Sequence, residues 1–149
     1  MKTILVPVDL SPASVPLCAM ACDLARRTGA GLLLLHLVQP PAALVSDLYA
    51  LQASQLESMV ATAEQEARAR LDRLARHCEK RGVAVQTQLC VGDPATEILA
   101  RARSASFVVM GSHGHGAMYD LLVGSTTHDV LNKAPCPVVI VPPGNRRAA

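Results

Sequence analysis

Aromatic side chains are almost missing from this chain, which has no Trp, two Tyr and one Phe. Single-stranded nucleic acid is held on aromatic platforms, so that class of partner is not expected. Charge of one sign is missing too. Fourteen Lys and Arg stand against twelve Asp and Glu, a net charge of +2, and no basic run is longer than Arg146-Arg147. Nothing here asks for a polyanion. No apolar stretch approaches the roughly 20 residues needed to span a bilayer. Met1-Lys2-Thr3-Ile4 enters a strand pattern directly, without a signal-peptide layout, so a cytoplasmic location with no membrane partner is expected. The five cysteines (Cys18, Cys22, Cys78, Cys90 and Cys136) are odd in number and form no C-x-x-C pair. They read as small buried hydrophobes in a reducing compartment. Two phosphate-binding motifs are also missing. There is no G-x-x-x-x-G-K-[ST], and no G-x-G-x-x-G follows the first strand.

Half of the 149 residues are apolar, mostly Ala, Val and Leu. A chain of this length is one domain with a real core, and small aliphatics suit helices packed on a parallel sheet. Residues 2–8 form a β-branched run ending at Pro7-Val8-Asp9. A helix follows, starting either with Ser11 as cap and Pro12 at the first position or at Ser14, which puts Pro16 in the tolerant first turn; Gly29 ends it. Residues 31–38 are a second strand. Periodicity is lost over 39–50, a mobile connection with room for a short helical piece. A long helix over about 52–81 carries one apolar stripe from Leu56 to Cys78, and its N-terminal part should overhang. Val83–Val91 reads as an edge strand, Asp93-Pro94 as a helix start, Ser106–Met110 as a fourth strand, Ser125–Lys133 as a short helix and Pro137–Pro142 as a fifth strand. Alternating strands and helices predict one α/β domain over 1–144 with a polar tail at 145–149. Right-handed crossovers favour a doubly wound parallel sheet of five strands in the order 3-2-1-4-5, helices on both faces. Strands 1 and 4 are then neighbours at a topological switch point, where such folds bind ligands.

Asp9 ends strand 1 and Gly111 follows strand 4, so both fall on that crevice. Gly111 and Gly114 permit a tight turn and close backbone approach, while Gly124 returns the chain so that Ser125 can cap the last helix. The first N–H groups of that helix, with the hydroxyls of Ser125 and Thr126, can then face a phosphate. No Lys or Arg lies between Gly111 and Thr127, so phosphates would rely on backbone dipoles, hydroxyls and bound Mg²⁺, which favours binding over hydrolysis. Asp9 could serve ribose hydroxyls or the metal, or be a plain turn residue. His113, His115 and His128 have no acidic or Cys partner at ligand spacing, which disfavours zinc. His36, at the end of strand 2, reads as a core or crevice-edge residue.

The pattern G-x2-G-x9-G-[ST] at Gly111, Gly114, Gly124 and Ser125 stands with two further blocks, Ile4-Leu5-Val6-Pro7-Val8-Asp9 and Ala134-Pro135-Cys136-Pro137-Val138-Val139-Ile140-Val141-Pro142. Together, over nearly the whole chain, they resemble the universal stress protein family. That resemblance implies a Rossmann-like domain binding ATP or another adenine nucleotide, ADP or AMP. It implies nucleoside contacts at Pro7, Val8 and Asp9, an adenine contact at Val38, and phosphate contacts at Gly111, Gly114, Gly124, Ser125 and Thr126. Met110, His113, His115 and Thr127 flank these positions and join the candidate set. It also implies a regulatory role in stress physiology, with unidentified protein partners, and a homodimer through strand 5. The wholly apolar edge Val138, Val139, Ile140 and Val141 independently favours such pairing. A slow ATPase or phosphotransferase and a ligand-free dimeric scaffold are the competing expectations.

Overall fold

The computed structural model describes residues 1–38, 53–112 and 123–143. Its elements are β1 (Thr3–Pro7), α1 (Ser14–Thr28), β2 (Gly31–Val38), α2 (Ala53–Glu79), β3 (Val85–Val91), α3 (Pro94–Ala102), β4 (Phe107–Gly111), α4 (Ser125–Lys133) and β5 (Val138–Val141). The strands form one sheet in the order β3-β2-β1-β4-β5, and every adjacent pair is parallel, as expected. Central β1 explains the unbroken apolar run at the start of the chain. Ile4 and Val6 enter a core beneath α1 and α2, whereas Leu5 enters a second core beneath α3 and α4. A strand buried on both faces cannot alternate apolar with polar. Pro7 closes β1 opposite Leu35, and the Val8 amide then donates to the Leu35 carbonyl at 2.8 Å.

Of the two possible starts for α1, the structure has Ser14. The Ser14 amide donates to the Ser11 carbonyl at 2.9 Å, so residues 11–14 turn before the helix begins. Pro16 then sits in the first turn, where its missing N–H removes no helical bond. Gly29 ends α1 in the left-handed region at φ 67° and donates its N–H to the Ala25 carbonyl. Among the described side chains of α2 the buried ones, Ala67, Leu71, Leu74, Ala75 and Cys78, lie in its C-terminal half, while Met59 and Ala63 are exposed. The overhang is thus present, with bounds two residues shorter at the C-terminal end than the periodicity suggested. Asp93 caps α3, its carboxylate accepting from the Thr96 amide at 3.0 Å and hydroxyl at 2.7 Å. Those bonds hold its carboxyl below the usual carboxylate range. The cap of α4 is Gly124 rather than Ser125, which occupies the first helical position and makes no capping bond. The connection over 39–50 and the tail 145–149 lie outside the described residues.

All five cysteines are free thiols. Cys18 and Cys22 of α1 meet Cys78 of α2 in the first core, all three fully buried. Burial pushes the Cys22 thiol up to about 12, and a hydrogen bond with Cys18, with burial, raises that of Cys78. Cys90 and Cys136 are half-buried, so the uniform buried reading holds for three of the five. The Cys90 sulfur accepts from Arg101 Nη2 at 2.8 Å. Among the described residues no helix is long and apolar enough to cross a membrane.

Candidate functional site

A cleft of about 510 Å³ opens at the carboxyl ends of β1, β2 and β4. Pro7, Val8 and Asp9 line it where β1 gives way to a turn. The Asp9 side chain organises that turn: its Oδ1 accepts from the Ser11 amide at 3.0 Å and from the Ser14 hydroxyl at 3.1 Å. Leu10, between them, has φ 62°, a conformation that leucine rarely adopts. At the end of β2, Val38 and His36 line the cleft. His36 Nδ1 lies 2.8 Å from the Val8 carbonyl oxygen. A carbonyl only accepts, so the proton is on Nδ1 and the ring holds the β1 exit in place.

β4 and α4 add Met110, Gly111, Thr126 and Thr127 to the lining. Gly111 is not itself in the turn. It is the last residue of β4, paired with Val141, and the Ser112 amide continues the ladder to the Val141 carbonyl at 3.1 Å. The Gly124 amide then donates to the Ser112 carbonyl at 2.8 Å, and the Thr127 hydroxyl donates to the Gly111 carbonyl at 3.0 Å. Gly124 has φ −68°, so no handedness requirement selects glycine there. These two bonds bring the start of α4 against the end of β4. The first N–H groups of α4 have no intrahelical partner, and Thr126 and Thr127 sit in the lining, so a helix N-terminus opens on the cleft. That end favours an anion.

The candidate residues therefore divide. Pro7, Val8, Asp9, Val38, Met110, Gly111, Thr126 and Thr127 are gathered around one cavity, whereas Gly124 and Ser125 are not part of its lining. His113, Gly114 and His115 lie outside the described residues. His128 is exposed and accepts from the Asn132 side-chain amide at 3.0 Å. Among the described lining residues, Asp9 and His36 are the ionisable side chains, and neither Lys nor Arg contributes. Among the described residues no three His, Cys, Asp or Glu side chains come together in a group that could hold a metal ion.

Sequence reasoning missed Ser14, buried to 3%, and the apolar contributions of Leu17, Ala67 and Ile98. A signal existed for Ser14, because Asp9, Ser11 and Ser14 are spaced to fold a turn back onto one carboxylate. It existed for His36 as well, because a lone polar residue near the carboxyl end of an otherwise aliphatic strand sits where ligands bind.

A switch-point cleft lined by a carboxylate and by the start of a helix sits on a five-stranded parallel sheet of the doubly wound α/β class. The model of the Universal stress protein family matches residues 1–142, and the chain belongs to that family. A universal stress protein of Thermus aquaticus is 34% identical over 142 residues, covering 94% of this chain and 98% of its own. One from Mycobacterium tuberculosis is 33% identical over 139 residues, 92% of this chain but only 44% of its own length. Among solved structures, UspA from Lactobacillus plantarum matches with a TM-score of 0.69 and 28% identity, covering 94% and 97% of the two chains. A universal stress protein in complex with cAMP (TM-score 0.69, 20% identity, coverage 94% and 95%) shares the fold. So does the Archaeoglobus fulgidus protein in complex with dAMP (TM-score 0.66, 21% identity, coverage 94% and 97%).

Proposed function

We propose that this protein binds an adenine nucleotide, ATP or its di- or monophosphate, in the switch-point cleft and acts as a nucleotide-dependent regulator rather than a catalyst. The observation that carries the proposal is that Asp9 and the start of α4, through Thr126 and Thr127, line one cavity of about 510 Å³. A carboxylate accepts from sugar hydroxyls, and a helix N-terminus favours phosphate. The lining between them is largely aliphatic, through Val8, Leu17, Val38 and Ala67, which suits the faces of a purine. The cAMP and dAMP complexes of two structural neighbours support an adenine-type ligand.

The roles follow from position. Pro7, Val8 and Val38 bound the nucleoside end, Asp9 takes the sugar, and Gly111, Thr126 and the α4 amides take the phosphates. Gly114, His113 and His115 complete the phosphate segment on the sequence pattern, with Gly124 and Ser125 shaping its return. Mg²⁺ accompanies a polyphosphate as its counter-ion, held mainly by phosphate oxygens and water. The described lining residues include no Lys or Arg to stabilise charge on a transferred phosphoryl group, which supports binding with slow turnover or none.

Calorimetric titration with ATP, ADP and AMP tests the reading, together with mass spectrometry of nucleotide carried through purification. Saturable binding is expected, and Thr126→Trp, a bulky side chain at a lining position at the start of α4, should weaken it by about tenfold or more. Unaltered affinity in that variant would place the ligand elsewhere. No binding by the wild-type protein would leave the dimeric scaffold as the better reading.

A further inference from the structure

Leu10 is the one non-glycine residue with positive φ among the described residues, and it lies next to the cleft carboxylate. Leucine lacks both the freedom of glycine and the local hydrogen bonding of asparagine, so its own preference does not hold this turn. Three contacts do. The Ser11 amide and the Ser14 hydroxyl both donate to Asp9 Oδ1, and the Leu10 side chain packs against the core beneath α1. Ser14 is buried at the first position of α1, a helix whose cap, Ala13, offers no side-chain bond. Its hydroxyl turns out of the helix to a carboxylate five residues earlier in the chain. Two donors on one carboxylate oxygen set the rotamer of Asp9 before any ligand arrives. An uncommon backbone conformation, held on all sides at the rim of a cleft, is how a binding geometry is kept ready.

We propose that Ser14 is a positioning residue for sugar recognition: it holds Asp9 in the orientation that accepts from the hydroxyls of a ribonucleotide, so the preference of the cleft for ribose depends on it. This rests on the reading of the cleft as a nucleotide site with Asp9 at the sugar.

The test is calorimetric titration of ATP and of 2′,3′-dideoxy-ATP, which has no sugar hydroxyl to offer, against wild type, Ser14→Ala and Ser14→Thr. Wild type should bind ATP about tenfold more tightly than the dideoxy analogue. Ser14→Ala should weaken ATP roughly five- to tenfold and leave the analogue within about twofold. Ser14→Thr, which keeps the hydroxyl, should restore the ratio. A general structural role would weaken both ligands alike, and that result overturns the proposal, as does an unchanged ratio in Ser14→Ala. Undetectable ATP binding by wild type overturns the nucleotide reading itself and this inference with it. Should Ser14→Ala not accumulate as folded protein, Ser14→Cys, similar in size but a weak donor, makes the same separation.

Discussion

Thr127 illustrates how single side chains carry this site. It is 3% exposed, and its hydroxyl bridges α4 to the Gly111 carbonyl. Thr127→Val keeps the shape but removes the donor, and losing this part-buried hydrogen bond costs about 1 kcal/mol. Urea denaturation should register that loss, with Thr127→Ser recovering most of it. Cys22 supplies a prediction of a different kind. Between the ordinary thiol value of 9.0 and about 12, an unfolded chain releases the Cys22 proton and the folded chain keeps it. Stability therefore falls as pH rises through that window. Denaturation midpoints measured from about pH 8 to about pH 10.5 should decline, and Cys22→Ala should flatten part of the decline. An equal slope in the two proteins would refute the assignment. Residue chemistry was the least legible level of the sequence. Leu10 carries no turn signature, so its left-handed φ could be found only in three dimensions, whereas the Asp9–Ser14 contact behind it left a trace in the spacing of Asp9, Ser11 and Ser14.

At the scale of elements, periodicity carried most of the information, because each strand and helix must present its apolar side to one of two cores. Where that constraint was strong, bounds agreed closely: β2 and α4 fall on the expected residues. Where it was weak, they moved. Two prolines competed to start α1, and the choice fell to a backbone bond from Ser14 to Ser11 that no propensity encodes. The apolar stripe of α2 extends beyond the core that it serves. Leu71 is fully buried beside Leu74 and Cys78, whereas Met59, three turns earlier, is 47% exposed. Leu71→Ala should cost about 2–5 kcal/mol and Met59→Ala about 0.5 kcal/mol or less, both read from urea midpoints. A comparable loss at Met59 would mean that the overhang is covered in solution.

For the whole molecule, topology was legible because parallel strands joined by right-handed crossovers leave few arrangements. That topology also leaves β5 at an edge, its four residues all half-buried. A second copy pairing there would complete their burial. Sedimentation across a dilution series should give a dimer at micromolar concentration; a monomer there would refute it. The clasp at the phosphate wall has a different consequence. Because Ser112 receives the Gly124 amide and Gly111 receives the Thr127 hydroxyl, the intervening segment leaves and rejoins the sheet at almost one point. Doubling the length of a flexible loop between fixed ends costs only about 0.6 kcal/mol. The hold on β4 and α4 thus lies in the two ends, Ser112 and Gly124 with Gly111 and Thr127, and the register of α4 against the sheet is set by contacts that do not depend on the number of residues between those ends.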